Sequence, residues 1–161
     1  MTRAYVALGS NLEQPEQQIR AALAALDTLE GVRLVRASAL YRTRPVGYLD
    51  QPDFINAVAE VETVLSASDL LSALLALETR FGRVRSFRNA PRVLDLDLLL
   101  YDGCEQAGPT LTLPHPRMHE RAFVMVPLAE LAPDRAVGSH GTVAALAATL
   151  ATPDIERLAE A

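Results

Sequence analysis

Residues 93–101 read VLDLDLLLY, and this alternation of leucine with aspartate is typical of a β-strand. Side chains two positions apart lie on one face of a strand, so Asp95 and Asp97 share a face and leucines occupy the opposite one. Twice the rise per residue separates the two acidic positions by about 7 Å. The stretch therefore predicts a strand that buries its leucines and presents a pair of carboxylates.

The sequence on both sides of this strand predicts the remaining elements. Apolar alternation bounded by turn residues predicts three earlier strands, at residues 3–9, 32–41 and 54–65. A helix is predicted after the first of these strands. A leucine-rich helix that ends near Arg80 is predicted after the third, and the capping-box spacing of Ser66 and Asp69 predicts its start. This β-α-β-β-α-β order indicates an α+β, ferredoxin-like sandwich, whose antiparallel sheet carries helices on one face and leaves the other free for ligands. Helical additions are predicted in the C-terminal part, near 120–131 and 142–150.

Composition limits the class of protein. The chain has 161 residues, of which half are hydrophobic and 22% are charged, as expected for one globular domain spanning 1–161. No membrane span or signal peptide is indicated, and Cys104 is the single cysteine, so we expect a cytoplasmic protein without a membrane partner. All fifteen basic residues are arginine, which excludes a Walker P-loop and Schiff-base catalysis by lysine. A net charge of −5 argues against nucleic acid as a partner.

The paired aspartates suit a divalent cation. Aspartate is depleted in strands, and two like charges on one face repel each other. Carboxylate oxygens are ligands that Mg²⁺ accepts together with the phosphates of ATP. The alternative is a solvated polar face, and we favour the metal site formed by Asp95 and Asp97.

An arginine-rich loop joins the leucine-rich helix to this strand. Five arginines fall within thirteen residues: Arg80, Arg83, Arg85, Arg88 and Arg92. The planar guanidinium group matches phosphate oxygens, so such a loop beside a metal pair would clamp a triphosphate. The alternative is a solvated loop whose arginines pair with acids, but its position next to the aspartates favours the clamp.

Two other stretches contain candidate ligand-binding residues. Phe54 and Asn56 share a strand face, where a flat heteroaromatic ligand would stack on the ring while the amide binds its edge; a core phenylalanine is the alternative. His115 and His119 lie four residues apart, but the neighbouring prolines and the lack of an HExxH order argue against zinc. Those histidines are then structural, or His115 donates to a phosphate.

Six motifs, in their order and spacing, resemble the 6-hydroxymethyl-7,8-dihydropterin pyrophosphokinase family between about Arg3 and Pro133. They are Gly9-Ser10-Asn11-Leu12, Tyr41-Arg42-Thr43, Asp50-Gln51-Pro52-Asp53-Phe54-Ile55-Asn56, Gly82-Arg83, Pro91-Arg92-Val93-Leu94-Asp95-Leu96-Asp97 and Pro114-His115-Pro116-Arg117-Met118-His119-Glu120-Arg121. The resemblance implies a ferredoxin-like core. It also implies transfer of diphosphate from ATP to the hydroxymethyl group of the reduced pterin, with release of AMP, in folate synthesis.

The same resemblance implies which residues bind each ligand. Asp95 and Asp97 would bind two Mg²⁺ ions and be catalytic together with Arg83 and Arg92. The implied ATP-binding residues are Glu78, Arg83, Arg85, Arg88, Arg92, Leu98, Thr112, His115 and Arg121. The implied pterin-binding residues are Thr43, Pro45, Val46, Phe54, Asn56, Asp95 and Phe123.

Three other functions are weighed against this one. A different Mg-dependent phosphotransferase would use another flat acceptor, and Phe54, Asn56 and Phe123 argue against it. A non-catalytic ferredoxin-like module that binds nucleotides or RNA is disfavoured, because the aspartates would repel a phosphate backbone and no RNP-type aromatic motif is visible. A zinc hydrolase built on His115 and His119 is the third. We therefore expect a monofunctional, monomeric enzyme whose partners are ATP and a reduced pterin.

Overall fold

The computed structural model describes residues 1–12, 14–45, 49–82 and 93–158. The strands in those ranges are β1 (Thr2–Ser10), β2 (Val32–Ala37), β3 (Tyr41–Thr43), β4 (Phe54–Thr63), β5 (Asp95–Tyr101), β6 (Gln106–Ala107), β7 (Thr112–Leu113) and β8 (Ile155–Arg157). The helices are α1 (Pro15–Leu26), α2 (Ala67–Arg80), α3 (Ala122–Leu131) and α4 (Val143–Leu150), with a 3₁₀ turn at Met118–Glu120. Within the same ranges, no helix is long and apolar enough to cross a membrane.

The main sheet confirms the ferredoxin-like prediction. Its strand order is β5-β1-β4-β3-β8, and β2 pairs with β4 beside β3. Every pairing in it is antiparallel. Strands β6 and β7 form a separate hairpin. Strand β5, which carries the aspartates, lies at one edge of the main sheet, and β8, which the sequence analysis did not predict, lies at the other.

The strand predicted at 32–41 is divided into β2 and β3. Residues 38–40 of this stretch oppose only Ala57 and Val58 of β4, so one residue is extra, as in a β-bulge. The Ser38 backbone N–H donates to the Val58 carbonyl at 2.9 Å, and the Ser38 hydroxyl accepts from the Val58 N–H at 2.9 Å. A side chain therefore replaces a backbone acceptor at the break.

Helices α1 and α2 cover one face of the sheet. The leucines that alternate with the aspartates are buried in one core with residues of both helices, namely Leu94, Leu96 and Leu98. The predicted cap of α2 is confirmed, since the Ser66 hydroxyl accepts the Asp69 N–H at 3.1 Å. Burial of the leucine face turns both aspartates toward the opposite face.

Helices α3 and α4 cover part of that opposite face. Tyr5, Val58 and Leu99 form a second apolar core with residues of these helices. The prediction that this face is free for ligands is therefore wrong for the part around Tyr5, because apolar side chains there need a cover. The part around Gly9, Asn56 and Asp95 lines a cavity.

Candidate active site

Asp95 and Asp97 lie between two cavities. In the pairing of β5 with β1, Asp95 is opposite Gly9 and Asp97 is opposite Ala7, which places both acids on the second sheet face. A cavity of about 540 Å³ lies along the β5 edge, and another of about 470 Å³ lies over the second face. We call them the edge cavity and the face cavity. Asp95, Asp97 and Arg121 line both, so the two cavities meet at the paired carboxylates.

The edge cavity is formed by α2, β5 and residues 108–121. Its lining includes Glu78, Leu98, Thr112 and His115. Glu78 is 2% exposed, and its Oε2 accepts the backbone N–H of Leu96 at 2.7 Å. An edge strand presents N–H groups that need acceptors. The Glu78 carboxylate satisfies one of them and so fixes α2 against the strand that carries the aspartates.

His115 is held as a neutral imidazole. The pKa of His115 is lowered from 6.5 to about 4, mainly by burial and also by the positive charges of Arg121 and Arg117, while Asp95 opposes the shift. Its Nδ1 accepts the backbone N–H of Arg117 at 3.2 Å, so in the neutral ring the proton resides on Nε2. His115 therefore provides the edge cavity with a neutral N–H donor at ordinary pH.

The floor of the face cavity is a row of residues across the sheet. Asn56 of β4 is opposite Gly9 of β1, and Gly9 in turn is opposite Asp95 of β5. The Asn56 Nδ2 donates to the Thr43 hydroxyl at 2.6 Å. A Cβ at position 9 would lie 2.9 Å from the Asn56 Oδ1, closer than side chains tolerate. Glycine at this position thus makes room for the amide, while Thr43 fixes its orientation.

Two phenylalanines line the same cavity. Phe54 lies on the same face of β4 as Asn56, and Phe123 comes from the first turn of α3. The Arg121 guanidinium lies 5.6 Å from the centre of the Phe123 ring, within the range of a cation–π contact. Both rings are half-buried. They give the cavity aromatic surface next to the polar floor.

Each predicted site residue within the described ranges lines one of the two cavities. The members of the ATP set in the edge cavity are Glu78, Leu98, Thr112, His115 and Arg121. The members of the pterin set in the face cavity are Thr43, Pro45, Phe54, Asn56, Asp95 and Phe123. Val46, Arg83, Arg85, Arg88 and Arg92 lie outside the described residues. The structure therefore brings the described candidates together, and their ligands remain predictions.

His119 belongs to a different contact. Its ring stacks on that of His140, with the centroids 3.6 Å apart and the planes within 4°. It lines neither the edge cavity nor the face cavity. Across the described part of the chain, no three histidine, cysteine, aspartate or glutamate residues form a metal-binding group. These observations give the zinc alternative no support.

The sequence analysis missed several residues that line the face cavity. Gly9 was quoted in a motif but given no role, although a glycine inside a strand often marks a close approach by another group. Arg44, Arg117, Glu120 and Ala122 also line it without a predicted role. Four more missed residues come from the C-terminal part of the chain: Leu150, Thr152, Asp154 and Ile155. The turn residues at 152–154 before Ile155 were the available signal for a strand there.

Comparison with known proteins gives one family. A sequence model of the 7,8-dihydro-6-hydroxymethylpterin-pyrophosphokinase family matches residues 5–133. The 2-amino-4-hydroxy-6-hydroxymethyldihydropteridine pyrophosphokinase of Pseudomonas aeruginosa is 49% identical over 156 residues, which are 97% of this chain and 96% of that protein. The Methylorubrum extorquens protein of the same name is 44% identical over 158 residues, 98% of this chain and 99% of that protein.

Solved structures agree on the fold. A crystal structure described as HPPK-DHPS in complex with substrates matches with a TM-score of 0.74 and 11% identity, over 97% of this chain and 46% of that one. The Plasmodium falciparum HPPK-DHPS with pteroate matches with a TM-score of 0.73 and 12% identity, over 92% of this chain and 42% of that one. This chain thus spans less than half the length of these solved chains, and at such identities the likeness concerns the fold.

The state of His115 predicts a pH dependence of stability. Its pKa in the folded protein is about 4, below the ordinary 6.5, so between those values the unfolded chain binds a proton that the folded chain does not. Wild type should therefore lose unfolding free energy relative to His115→Gln as the pH falls from 6.5 to 4, while above pH 7 the difference stays constant. Urea denaturation of both proteins at each pH measures this difference. A difference that does not change with pH would contradict the neutral imidazole.

Proposed function

Because the chain belongs to the 7,8-dihydro-6-hydroxymethylpterin-pyrophosphokinase family, we propose that it transfers diphosphate from ATP to the hydroxymethyl group of 6-hydroxymethyl-7,8-dihydropterin in folate synthesis. AMP is the second product. The observation that carries the proposal is that two cavities of different chemistry meet at Asp95 and Asp97. ATP, the diphosphate donor, in one cavity and the pterin acceptor in the other would have their reacting groups at the paired carboxylates.

The edge cavity suits ATP. Arg121 offers a guanidinium group, and His115 offers a neutral N–H, both of which are donors to phosphate oxygens. Leucines of α2 and β5 in the same cavity, Leu71 and Leu98, offer apolar surface to the base. The triphosphate then lies toward the aspartates. Arg83, Arg85, Arg88 and Arg92 are proposed to close over it and exclude water.

The face cavity suits a reduced pterin. A flat bicyclic ring would stack on Phe54 and Phe123, which both line this cavity. The Asn56 amide has two N–H donors and a carbonyl, and within the part of the chain that the structure describes one donor is committed to Thr43. Asn56 can therefore give the ring edge one donor and one acceptor. Thr43 and Pro45, with Val46 by the family resemblance, would complete the pterin site.

The chemistry of Asp95 and Asp97 fits Mg²⁺. Mg²⁺ is commonly held by one or two carboxylates, with phosphate oxygens and water as its other ligands. Two half-buried carboxylates on one strand face match that requirement. We propose that they bind two Mg²⁺ ions together with ATP. When bound, the ions would neutralise charge on the phosphates during transfer.

The chain's own residues then do three things in the reaction. The two cavities hold the acceptor oxygen in line with the β-phosphorus, so a reaction between two molecules becomes one between positioned groups. Arg121 lines both cavities, which supports a role in stabilising negative charge that develops between them. His115 donates a hydrogen bond from its Nε2–H to a phosphate oxygen and stays neutral. Arg83 and Arg92 are proposed to assist Arg121 as the other catalytic cations.

The organisation of the protein is also a proposal. The P. aeruginosa relative is covered over 96% of its length, which supports a single catalytic domain at 1–161. We propose that this domain acts as a monomer in the cytoplasm. ATP and the reduced pterin are then its only required partners.

The RNA-binding alternative has less support. A sheet that reads RNA stacks bases on an open face. Here α3 and α4 pack over Tyr5, Val58 and Leu99 on the face opposite α1 and α2. The open part that remains is a cavity rather than a flat platform.

Removal of Asp97 tests the catalytic proposal. Wild type should form AMP from MgATP only when 6-hydroxymethyl-7,8-dihydropterin is added. Asp97→Ala should lower that rate by about a hundredfold or more, because a charge that organises the transferring group is lost. Chromatographic measurement of AMP gives both rates.

Asp134→Ala is the matched control for this experiment. Asp134 is exposed and lines neither cavity, so its removal should leave AMP formation close to the wild-type rate. Pterin-independent AMP formation would contradict the proposed acceptor, and full activity of Asp97→Ala would contradict the proposed metal site.

Gly9→Ala tests the pterin site. The new methyl group must displace the Asn56 amide, so we expect the dissociation constant for pterin to rise by about tenfold, as for the loss of one buried hydrogen bond. ATP affinity should not change. Fluorescence titration measures the first constant, and calorimetry with an ATP analogue measures the second.

The control is a double-mutant cycle with Asn56→Ala. If Gly9→Ala acts through the amide, it should add no further loss of pterin affinity in the Asn56→Ala background. Losses that add fully would show that Gly9 and Asn56 act independently.

A further inference from the structure

The C-terminal segment forms one side of the face cavity. Leu150 at the end of α4 lines it together with Thr152, Asp154 and Ile155. These residues lie beyond position 133, where the match to the family model ends. Their contribution to the cavity is a property of this chain's fold.

Strand β8 is aligned with the floor of the face cavity. In the pairing of β8 with β3, Ile155 is opposite Thr43, and in the pairing of β3 with β4, Thr43 is opposite Phe54. These three residues form a row across the sheet. Ile155 is thus the neighbour of Thr43 on the side away from the aromatic ring.

The hydrogen-bond pattern brings Ile155 close to Thr43. Two backbone bonds show which pairs of the ladder are bonded. The Arg44 N–H donates to the Asp154 carbonyl at 3.2 Å, one pair from Thr43 and Ile155, and the Leu158 N–H donates to the Leu40 carbonyl at 2.8 Å, three pairs from them on the other side. Bonded and non-bonded pairs alternate in an antiparallel ladder, so the pair of Ile155 with Thr43 is a non-bonded one. Such pairs have the shorter Cα separation, about 4.5 Å. Ile155 is therefore placed to restrict the Thr43 side chain.

Ion pairs reinforce this alignment. The Arg42 guanidinium lies 3.7 Å from the Glu156 Oε2, and the Arg44 Nε lies 3.4 Å from the Asp154 Oδ1. The Arg157 Nε lies 3.4 Å from the Oε1 of Glu130 in α3. Exposed pairs of this kind contribute little each, so the backbone ladder is the main attachment and the charges select its register.

Strand β3 depends on this attachment. It has three residues, Tyr41–Thr43, and it lies between β4 and β8. Without β8 it would become a short edge strand, and such elements open locally at low free-energy cost. Its last residue, Thr43, accepts the hydrogen bond that orients the Asn56 amide. Loss of β8 would therefore reach the face cavity through Thr43.

We propose that strand β8 is a positioning element for the acceptor site: it holds Thr43, and through its hydroxyl the Asn56 amide, in the orientation that binds the pterin. This inference rests on the proposed function for the identity of the acceptor. The lining of the edge cavity comes from α2, β5 and residues 108–121. Disruption of β8 therefore weakens binding of the pterin and leaves binding of ATP unchanged.

A pair of variants at position 156 tests the inference. Glu156 is opposite Arg42 in a bonded pair of the ladder, so its N–H faces β3. Glu156→Pro removes both this N–H and the ion pair with Arg42, whereas Glu156→Ala removes the ion pair alone. We expect Glu156→Pro to raise the pterin dissociation constant and KM by about tenfold, with the ATP constants unchanged. Glu156→Ala should resemble wild type in both.

A second comparison separates positioning from general destabilisation. In a Thr43→Val background the hydroxyl is absent, so Glu156→Pro should add little further loss of pterin affinity. If circular dichroism shows that the proline variant does not fold, Ile155→Ala replaces it. The dissociation constant for pterin should then rise by about threefold. Equal losses of pterin and ATP affinity would show a merely structural role and overturn the inference.

The failure of the inference can be told from failure of the proposed function. If wild type forms AMP with pterin but Glu156→Pro and Ile155→Ala bind pterin as tightly as Glu156→Ala, the inference is wrong and the function stands. If wild type neither binds pterin in the titration nor forms AMP with it, the proposed function is wrong and the inference falls with it.

Discussion

The two-residue period of strand β5 determines where the acids of this protein lie. Leu94, Leu96 and Leu98 are buried in one core with residues of α1 and α2, and their burial stabilises the strand in one orientation only. A slip of one residue would expose the leucines and bury Asp95 and Asp97. The hydrophobic effect on one face of β5 thus places two carboxylates on the other face.

The edge position of β5 makes this pair accessible from two directions. An interior strand would have neighbours on both sides, but β5 pairs with β1 alone in the main sheet. Its other side is contacted by the Glu78 carboxylate, which accepts the Leu96 N–H, and by the His115 backbone N–H, which donates to the Leu99 carbonyl, and it borders the edge cavity. The second sheet face borders the face cavity. Two sites of unlike chemistry can therefore meet at one pair of side chains, as transfer between two substrates requires.

The sequence predicts the parts of this structure that depend on local chemistry. Alternation identifies β5, capping chemistry identifies the start of α2, and the family resemblance names residues that line the cavities, such as Thr43 and Phe123. Other features depend on contacts between distant segments. Ser38 divides the predicted second strand because its hydroxyl meets Val58, and no local pattern shows that contact. Strand β8 is too short for periodicity to detect, and the protonation state of His115 depends on its burial beside Arg121 and Arg117.

We propose that the diphosphate donor and its acceptor occupy different cavities and meet at Asp95 and Asp97. A crystal structure with Mn²⁺, α,β-methylene ATP and 6-hydroxymethyl-7,8-dihydropterin tests it most directly, since the analogue cannot release AMP and Mn²⁺ scatters anomalously. We expect the nucleotide in the edge cavity and the pterin between Phe54 and Phe123. We also expect anomalous peaks that locate Mn²⁺ ions bound by both carboxylates. Both ligands in one cavity, or anomalous peaks away from the two aspartates, would contradict it.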